Sequence, residues 1–245
     1  MIRLSGKSAQ GLVDKIIDSL QLECSLQMRE QLLGYAQLLL EGLKKQRLSG
    51  ERTLEGIVLK QIYDSLFPLT IIGSTKNSRI LDLGTGGGLP GIPLKILLPE
   101  SDFYLMDSNK RKMDFLIEVT TALGLKKISC LHGRAENWGH DINHREKYDY
   151  VFSKAVAEIA VLAELALPFI KIGGTALFYK GPRWKVEAEK AVKAIEFCGG
   201  TPDEPWHYKI LTGEERVIFR IRKIEITPDQ YPRSVGKPAK RPIGS

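Results

Sequence analysis

The sequence predicts an α/β fold, a mostly parallel sheet with helices on both faces, preceded by an all-helical segment. Three observations carry that prediction. The run Ile80-Leu81-Asp82-Leu83-Gly84-Thr85-Gly86-Gly87-Gly88-Leu89-Pro90-Gly91 reads as a short buried strand, a glycine-rich turn and the start of a helix. A second short apolar run, Phe103-Tyr104-Leu105-Met106, ends on Asp107, 19 residues beyond Gly88. From Arg79 onward, strand patterns alternate with helical ones, the mark of a parallel sheet.

Residues 1–76 read as helical. Leu12, Val13, Ile16, Ile17 and Leu20 follow helical spacing. A longer helix runs from Leu26 to Lys45, and the cations Lys44, Lys45 and Arg47 suit the negative end of its dipole. A third helix covers Thr53 to Leu66 and is closed by Pro68. Strands are predicted at 79–83, 102–107, 127–131, 148–153 and 174–180, with helices at 91–98, 110–123, 157–170 and 184–198. Two last strands, 206–211 and 215–223, flank Thr212-Gly213-Glu214, which reads as a hairpin turn. The expected division is a helical segment at 1–76, an α/β domain at 77–227 and a basic, proline-containing tail at 228–245.

The chain of 245 residues is long enough for one large domain or two modest ones. No apolar run reaches membrane-spanning length, and Met1 to Lys7 lacks the apolar core and cleavage site of a signal peptide. The three cysteines, Cys24, Cys130 and Cys198, are widely spaced, and the four histidines show no metal-ligand spacing. A reducing cytoplasm and a metal-free protein are expected. A net charge of +7 favours a polyanionic partner. In the tail, Arg233, Lys237, Lys240 and Arg241 alternate with prolines and no acid follows Tyr231. Such a segment cannot fold alone, so it reads either as a solubilising tail or as an arm along phosphates.

The chemistry centres on the glycine turn. Glycines 84, 86 and 88 permit positive φ and leave the backbone open to a ligand. No Gly-Lys-Ser/Thr follows, so this is not a triphosphate loop. Nor is it Gly-x-Gly-x-x-Gly, since the third glycine comes two residues after the second and Asp82 precedes the first by two. That variant is typical of domains that bind S-adenosylmethionine (AdoMet). An acid at the tip of the second strand, here Asp107, is where ribose hydroxyls are gripped. Five parallel strands closed by an antiparallel hairpin are the Rossmann-like, seven-stranded layout of class I AdoMet-dependent methyltransferases.

The chain resembles the glucose-inhibited division protein B family, enzymes that methylate N7 of a guanine in bacterial 16S ribosomal RNA. The match runs through Asp82 to Leu94, with Pro90-Gly91-Ile92-Pro93 after the glycines, and through Asp107-Ser108-Asn109-Lys110-Arg111-Lys112 with Phe115-Leu116. Gly133-Arg134-Ala135-Glu136, Asp64-Ser65-Leu66 and the segment Tyr231 to Pro242 also fit. Three positions depart from the family pattern. Arg47-Leu48-Ser49-Gly50 stands for Asn-Leu-Thr-Ala, Gln61 for a histidine, and Lys154 for an arginine, which keeps the charge and loses the planar fork.

The resemblance implies a cofactor site built from Gly84, Gly86, Gly88 and Leu89, from Asp107, Ser108 and Asn109, and from Ala135 and Glu136. Lys154 would stand at its mouth near the reactive methyl, as the candidate catalytic residue. Glu136 also reads as a simple helix N-terminal acid, and Lys154 as a surface lysine. Expected RNA contacts are Lys110, Arg111, Arg183, Trp184, Arg233, Lys237, Lys240 and Arg241; Trp184 either stacks on a splayed base or packs on the sheet edge. There is no Asn/Asp-Pro-Pro-Tyr/Phe for adenine amino groups and no Pro-Cys nucleophile for cytosine C5. The implied partner is 16S ribosomal RNA or the small ribosomal subunit, bound by a monomer. Two alternatives stay open: an AdoMet-dependent enzyme with another RNA or small-molecule substrate, and a weakened ribosome-binding protein that keeps AdoMet.

Overall fold

The computed structural model describes residues 6–72 and 75–244. Met1 to Ser5, most of the stretch read for a signal peptide, lie outside the described residues. The helical segment comprises α1 (Gly6–Leu20), α2 (Leu26–Gly42), α3 (Leu54–Gly56), α4 (Tyr63–Leu66) and α5 (Leu69–Ile72). A π-helical stretch, Ile57–Ile62, joins α3 to α4. Ser25 caps α2 by accepting from the Met28 amide, and Thr53 caps α3 by accepting from the Gly56 amide. Helix α2 stops at Gly42, short of the predicted Lys45. Phe115 and Leu48 close on Gly42, where an added Cβ would come within 2.6 and 2.7 Å of them. The cations Lys44 to Arg47 therefore follow the helix instead of finishing it.

The sheet has the order β3-β2-β1-β4-β5-β7-β6. Its strands are β1 (Arg79–Leu83), β2 (Asp102–Asp107), β3 (Ile128–His132), β4 (Tyr148–Lys154), β5 (Ile170–Lys180), β6 (Gly200–Lys209) and β7 (Glu215–Lys223). The pairs from β3 to β5 are parallel, and the β6–β7 hairpin adds antiparallel to β5. Between them run α6 (Gly91–Leu97), α7 (Lys110–Ala122), α8 (Ala135–Trp138), α9 (Ile159–Ala166) and α10 (Trp184–Phe197). The predicted seven-stranded, mostly parallel sheet with N-terminal helices is what the chain forms.

Further boundaries differ from the sequence reading, three of them by four or more residues. Strand β5 begins at Ile170, four residues early, with its register against β4 shifted before Thr175. Strand β6 begins at Gly200, six residues early, because Pro202 and Pro205 are tolerated on an outer edge that needs no donor there. Helix α9 ends at Ala166, and Pro168 falls in a single 3₁₀ turn that follows. Among the described residues no helix is long and apolar enough to cross a membrane.

Two layers of core cover the sheet. On one face, Tyr35, Leu39, Ile57 and Ile62 of the helical segment share a continuous buried cluster with Ile80, Leu94, Phe103 and Leu116. On the other, Leu81, Val151 and Phe178 pack with residues of α9 and α10 and with Ile243 of the C-terminal segment. That segment is not a free arm. Pro238, in the short helix α11 (Lys237–Lys240), and Ile243 are buried, and the Arg233 guanidinium is paired inside the protein. It needs the rest of the chain to fold, as its composition requires, and finds its partners on the surface of α8 and α9.

Candidate cofactor site

The glycine turn is held from three sides. The Gly84 and Thr85 amides both donate to the Met106 carbonyl at 2.9 Å, extending the β1–β2 ladder into the turn. The Gly86 amide donates to Asp107 Oδ2 at 3.0 Å, while Oδ1 of the same carboxylate accepts from the Asn109 amide at 2.9 Å. Asp82 fixes the far end, since its Oδ2 accepts from Thr85 Oγ1 at 2.7 Å and from the Gly91 amide at 2.8 Å. Its other oxygen is buried without a hydrogen-bond partner. Burial therefore pushes the Asp82 carboxyl up to about 7, against the pull of Thr85 and Gly91. The helical segment supplies the third side: Tyr35 donates its hydroxyl to the Gly87 carbonyl at 3.0 Å, and Leu48 lies against Gly87.

A cleft of about 290 Å³ opens at the carboxyl ends of the parallel strands, where ligands settle in open α/β sheets. One wall is Leu83, Gly84, Met106, Asp107 and Ser108, and the other is Gly133, Arg134, Ala135 and Glu136. Ala155, Val156, Leu165 and Lys112 complete it, with the Lys112 ammonium 3.8 Å from Asp107 Oδ2. Its size lies near the lower edge of the roughly 300–1,000 Å³ typical of ligand pockets. At Gly84, with φ of +73°, a Cβ would meet Val156 Cγ2 at 2.4 Å, so only glycine leaves this wall open. Glu136 is almost fully buried and accepts from Arg134 at 3.1 Å and from the Gly236 amide at 2.8 Å. Burial alone would raise its carboxyl, but those donors bring it below its ordinary value. A cleft with a carboxylate on one strand tip, a glycine wall beside it and a second buried acid opposite fits a nucleoside with a charged appendage.

Of the residues predicted from sequence, Gly84, Asp107, Ser108, Ala135 and Glu136 come together around this cleft. Gly86 acts through its amide on Asp107, Gly88 packs on Ile92 and Leu116, and Leu89 is buried. Asn109 caps α7 by accepting from the Lys112 amide. Lys154 turns away from the cleft. Its Nζ lies 2.6 Å from Asp64 Oδ2 and 3.4 Å from the Gln61 carbonyl, over the Tyr179 ring, with its side chain 12% exposed. Tyr208 donates to the other Asp64 oxygen. Two of the three departures from the family pattern, Gln61 and Lys154, thus meet at one buried junction between the helical segment and the sheet. Sequence reasoning did not name Lys112, Arg134, Val156 and Leu165 as lining residues; Lys112 and Arg134 lie within the quoted motifs and Val156 just beyond the β4 tip, while Leu165 had no signal.

The RNA candidates divide. Arg111 and Arg183 are exposed, Lys110 pairs only with exposed Asp114, and Lys237, Lys240 and Arg241 are exposed on the C-terminal segment. The Arg111 carbonyl accepts from Gln46, which sets the cations Lys45 and Arg47 beside the start of α7. Trp184 is half-buried, edge-on to His207 at 5.5 Å and tilted against Phe219, the sheet-edge alternative. Arg233 is engaged with buried Glu164 at 2.6 Å, so a phosphate would have to displace that carboxylate.

The sheet order and the cleft define a class I AdoMet-dependent methyltransferase fold. TYW2 of M. jannaschii, solved in complex with AdoMet, is 17% identical to this chain, with a TM-score of 0.55 over 74% of this chain and 80% of its own. TrmN of Thermus thermophilus has a TM-score of 0.52 over 66% of this chain at 18% identity, and both likenesses bear on the fold. The family model described as GidB, rRNA small subunit methyltransferase G, matches residues 28–216, and the chain belongs to this family. Ribosomal RNA small subunit methyltransferase G of Alkaliphilus oremlandii is 38% identical over 97% of this chain and 96% of its own. The protein of the same name from Lachnoclostridium phytofermentans is 40% identical over 92% and 93%.

Proposed function

We infer that this protein transfers the methyl group of AdoMet to N7 of a guanine in 16S ribosomal RNA. Family membership supports the reaction, and one observation carries the site: the Asp107 carboxylate, bonded to the Gly86 amide, faces a cleft walled by Gly84 and by Ala135-Glu136. Each Asp107 oxygen keeps a lone pair beyond its single backbone bond, enough to accept from a pair of ribose hydroxyls. Gly84 keeps its wall free of a side chain, and Ala135 and Glu136 shape the opposite one. When bound, AdoMet supplies a methyl group already activated on a sulfonium.

Guanine N7 carries an unprotonated lone pair at neutral pH, so no side chain has to remove a proton. The chain's task is orientation, which can supply roughly 7–11 kcal/mol of the barrier when reacting atoms are held in line. Exposed cations at the start of α7 and α10 flank the carboxyl end of the sheet and would hold phosphates there. The reading extends to a cytoplasmic monomer; the outer edge of β6 carries Pro202 and Pro205, which blunt edge-to-edge pairing.

Incubation with methyl-labelled AdoMet and undermethylated small-subunit RNA, followed by nucleoside analysis, tests the assignment. Label in N7-methylguanosine is expected. Label in another nucleoside would overturn the target, and no label on any ribosomal substrate would overturn the activity.

A further inference from the structure

The C-terminal segment ties together the two short elements that build the far wall of the cleft. That wall consists of α8, only four residues long, with Arg134 before it, and of Leu165 near the end of α9. Arg233 and Gly236, three residues apart, each hold one of its acids. The Arg233 guanidinium grips Glu164 in a fork, Nη2 to Oε2 at 2.6 Å and Nε to Oε1 at 2.8 Å, and its amide donates to Oε1 at 2.8 Å. Glu164 is fully buried and adjoins the cleft-lining Leu165. The Gly236 amide donates to Glu136, which lines the cleft itself.

The approach to this clamp is fastened as firmly. Arg145 donates to the carbonyls of Thr227, Tyr231 and Gly139 at 2.6, 2.9 and 2.8 Å, and His140 bonds the Pro232 carbonyl at 2.8 Å. Beyond the clamp, Ile243 is buried with residues of α9 and α10. A segment held at this many points is docked on the protein and keeps Lys237, Lys240 and Arg241 exposed on its outer side. Its loss would leave Glu164 and Glu136 buried without donors that now satisfy them, a costly arrangement for a wall made of one helical turn.

We propose that the C-terminal segment is part of the AdoMet site, with Arg233 as a positioning residue that acts through Glu164, and Gly236 as its companion on Glu136. The proposal rests on the cleft being the AdoMet site. Titration calorimetry of AdoMet into the full chain and into Arg233→Ala reads it directly, with far-UV circular dichroism as a folding control and filter binding to small-subunit RNA alongside. Arg233→Ala is expected to bind AdoMet about tenfold more weakly, Arg233→Lys by an intermediate factor, and both to bind RNA within twofold of the unaltered chain. Arg233→Lys keeps the charge and reads the same quantity should the alanine variant not fold. Unchanged AdoMet affinity in a folded variant, or a loss confined to RNA binding, would overturn the clamp. An unaltered chain that binds no AdoMet would instead overturn the reading of the cleft.

Discussion

The two walls of the cleft are built on opposite principles. The glycine wall is local: Asp82 bonds Thr85 and Gly91, and Asp107 bonds Gly86, all within 26 consecutive residues. The α8–α9 wall is assembled from distance, with Glu136 answered by Gly236 and Glu164 by Arg233, bonds that span 100 and 69 residues. A local motif can be read as a string of letters because its partners are its neighbours. A wall whose acids find their donors at the other end of the chain leaves no such string. The same contrast separates what each wall tolerates, since the first fails by steric intrusion and the second by loss of a remote tether.

The largest effect is expected from breaking the local wall. Gly84→Val places a branched side chain at φ of +73° and into Val156, and should weaken AdoMet binding by roughly 100-fold in calorimetry. Near-unaltered affinity would mean that the cofactor does not lie against this wall.

The buried acid beneath the turn acts on stability, with a defined sign. The folded chain keeps a proton on Asp82 up to about pH 7, whereas the unfolded chain releases it near the ordinary value of 3.8. Between those values the folded state binds more protons, so Asp82 makes stability fall as pH rises, by up to about 1.4 kcal/mol per pH unit, and contributes no further slope above that window. Asp82→Asn keeps an acceptor for the Gly91 amide and should flatten this part of the stability–pH profile measured by urea denaturation. A profile with the slope of the unaltered chain would contradict the buried, partly protonated carboxyl.

Smaller still is the tie from the helical segment. Tyr35→Phe removes one buried hydroxyl from the Gly87 carbonyl and should cost about 0.5–1.5 kcal/mol of stability, with a modest loss of AdoMet affinity. Stability lost with affinity untouched would show that the helices support the fold and not the turn.

The same contrast explains what the sequence revealed. Strands β1 and β2 matched their predicted bounds because each is a short apolar run ended by the turn or by Asp107. The start of β6 is hard to see in the sequence, since Pro202 and Pro205 argue against a strand unless its outer edge is known to be free. Asp107 and Gly84 could be named from spacing, and Glu136 from its motif together with its near donor Arg134, but not its remote donor, the Gly236 amide. The resemblance implies Lys154 at the mouth of the site; its partner Asp64 is 90 residues earlier, and the fold turns the side chain toward it. The proline-basic tail has the composition of a disordered arm, and it docks because Glu164, Glu136 and Arg145, all distant in sequence, wait for it.

Asp107 serves both the turn and the cleft, since its carboxylate closes the one and faces the other. Calorimetric titration of AdoMet into Asp107→Ala is therefore the most direct test. The unaltered chain should bind one AdoMet, and the variant should bind roughly 10- to 100-fold more weakly while staying folded, as loss of charge-assisted bonds requires. Equal affinity in the two proteins would contradict the placement of the cofactor in this cleft.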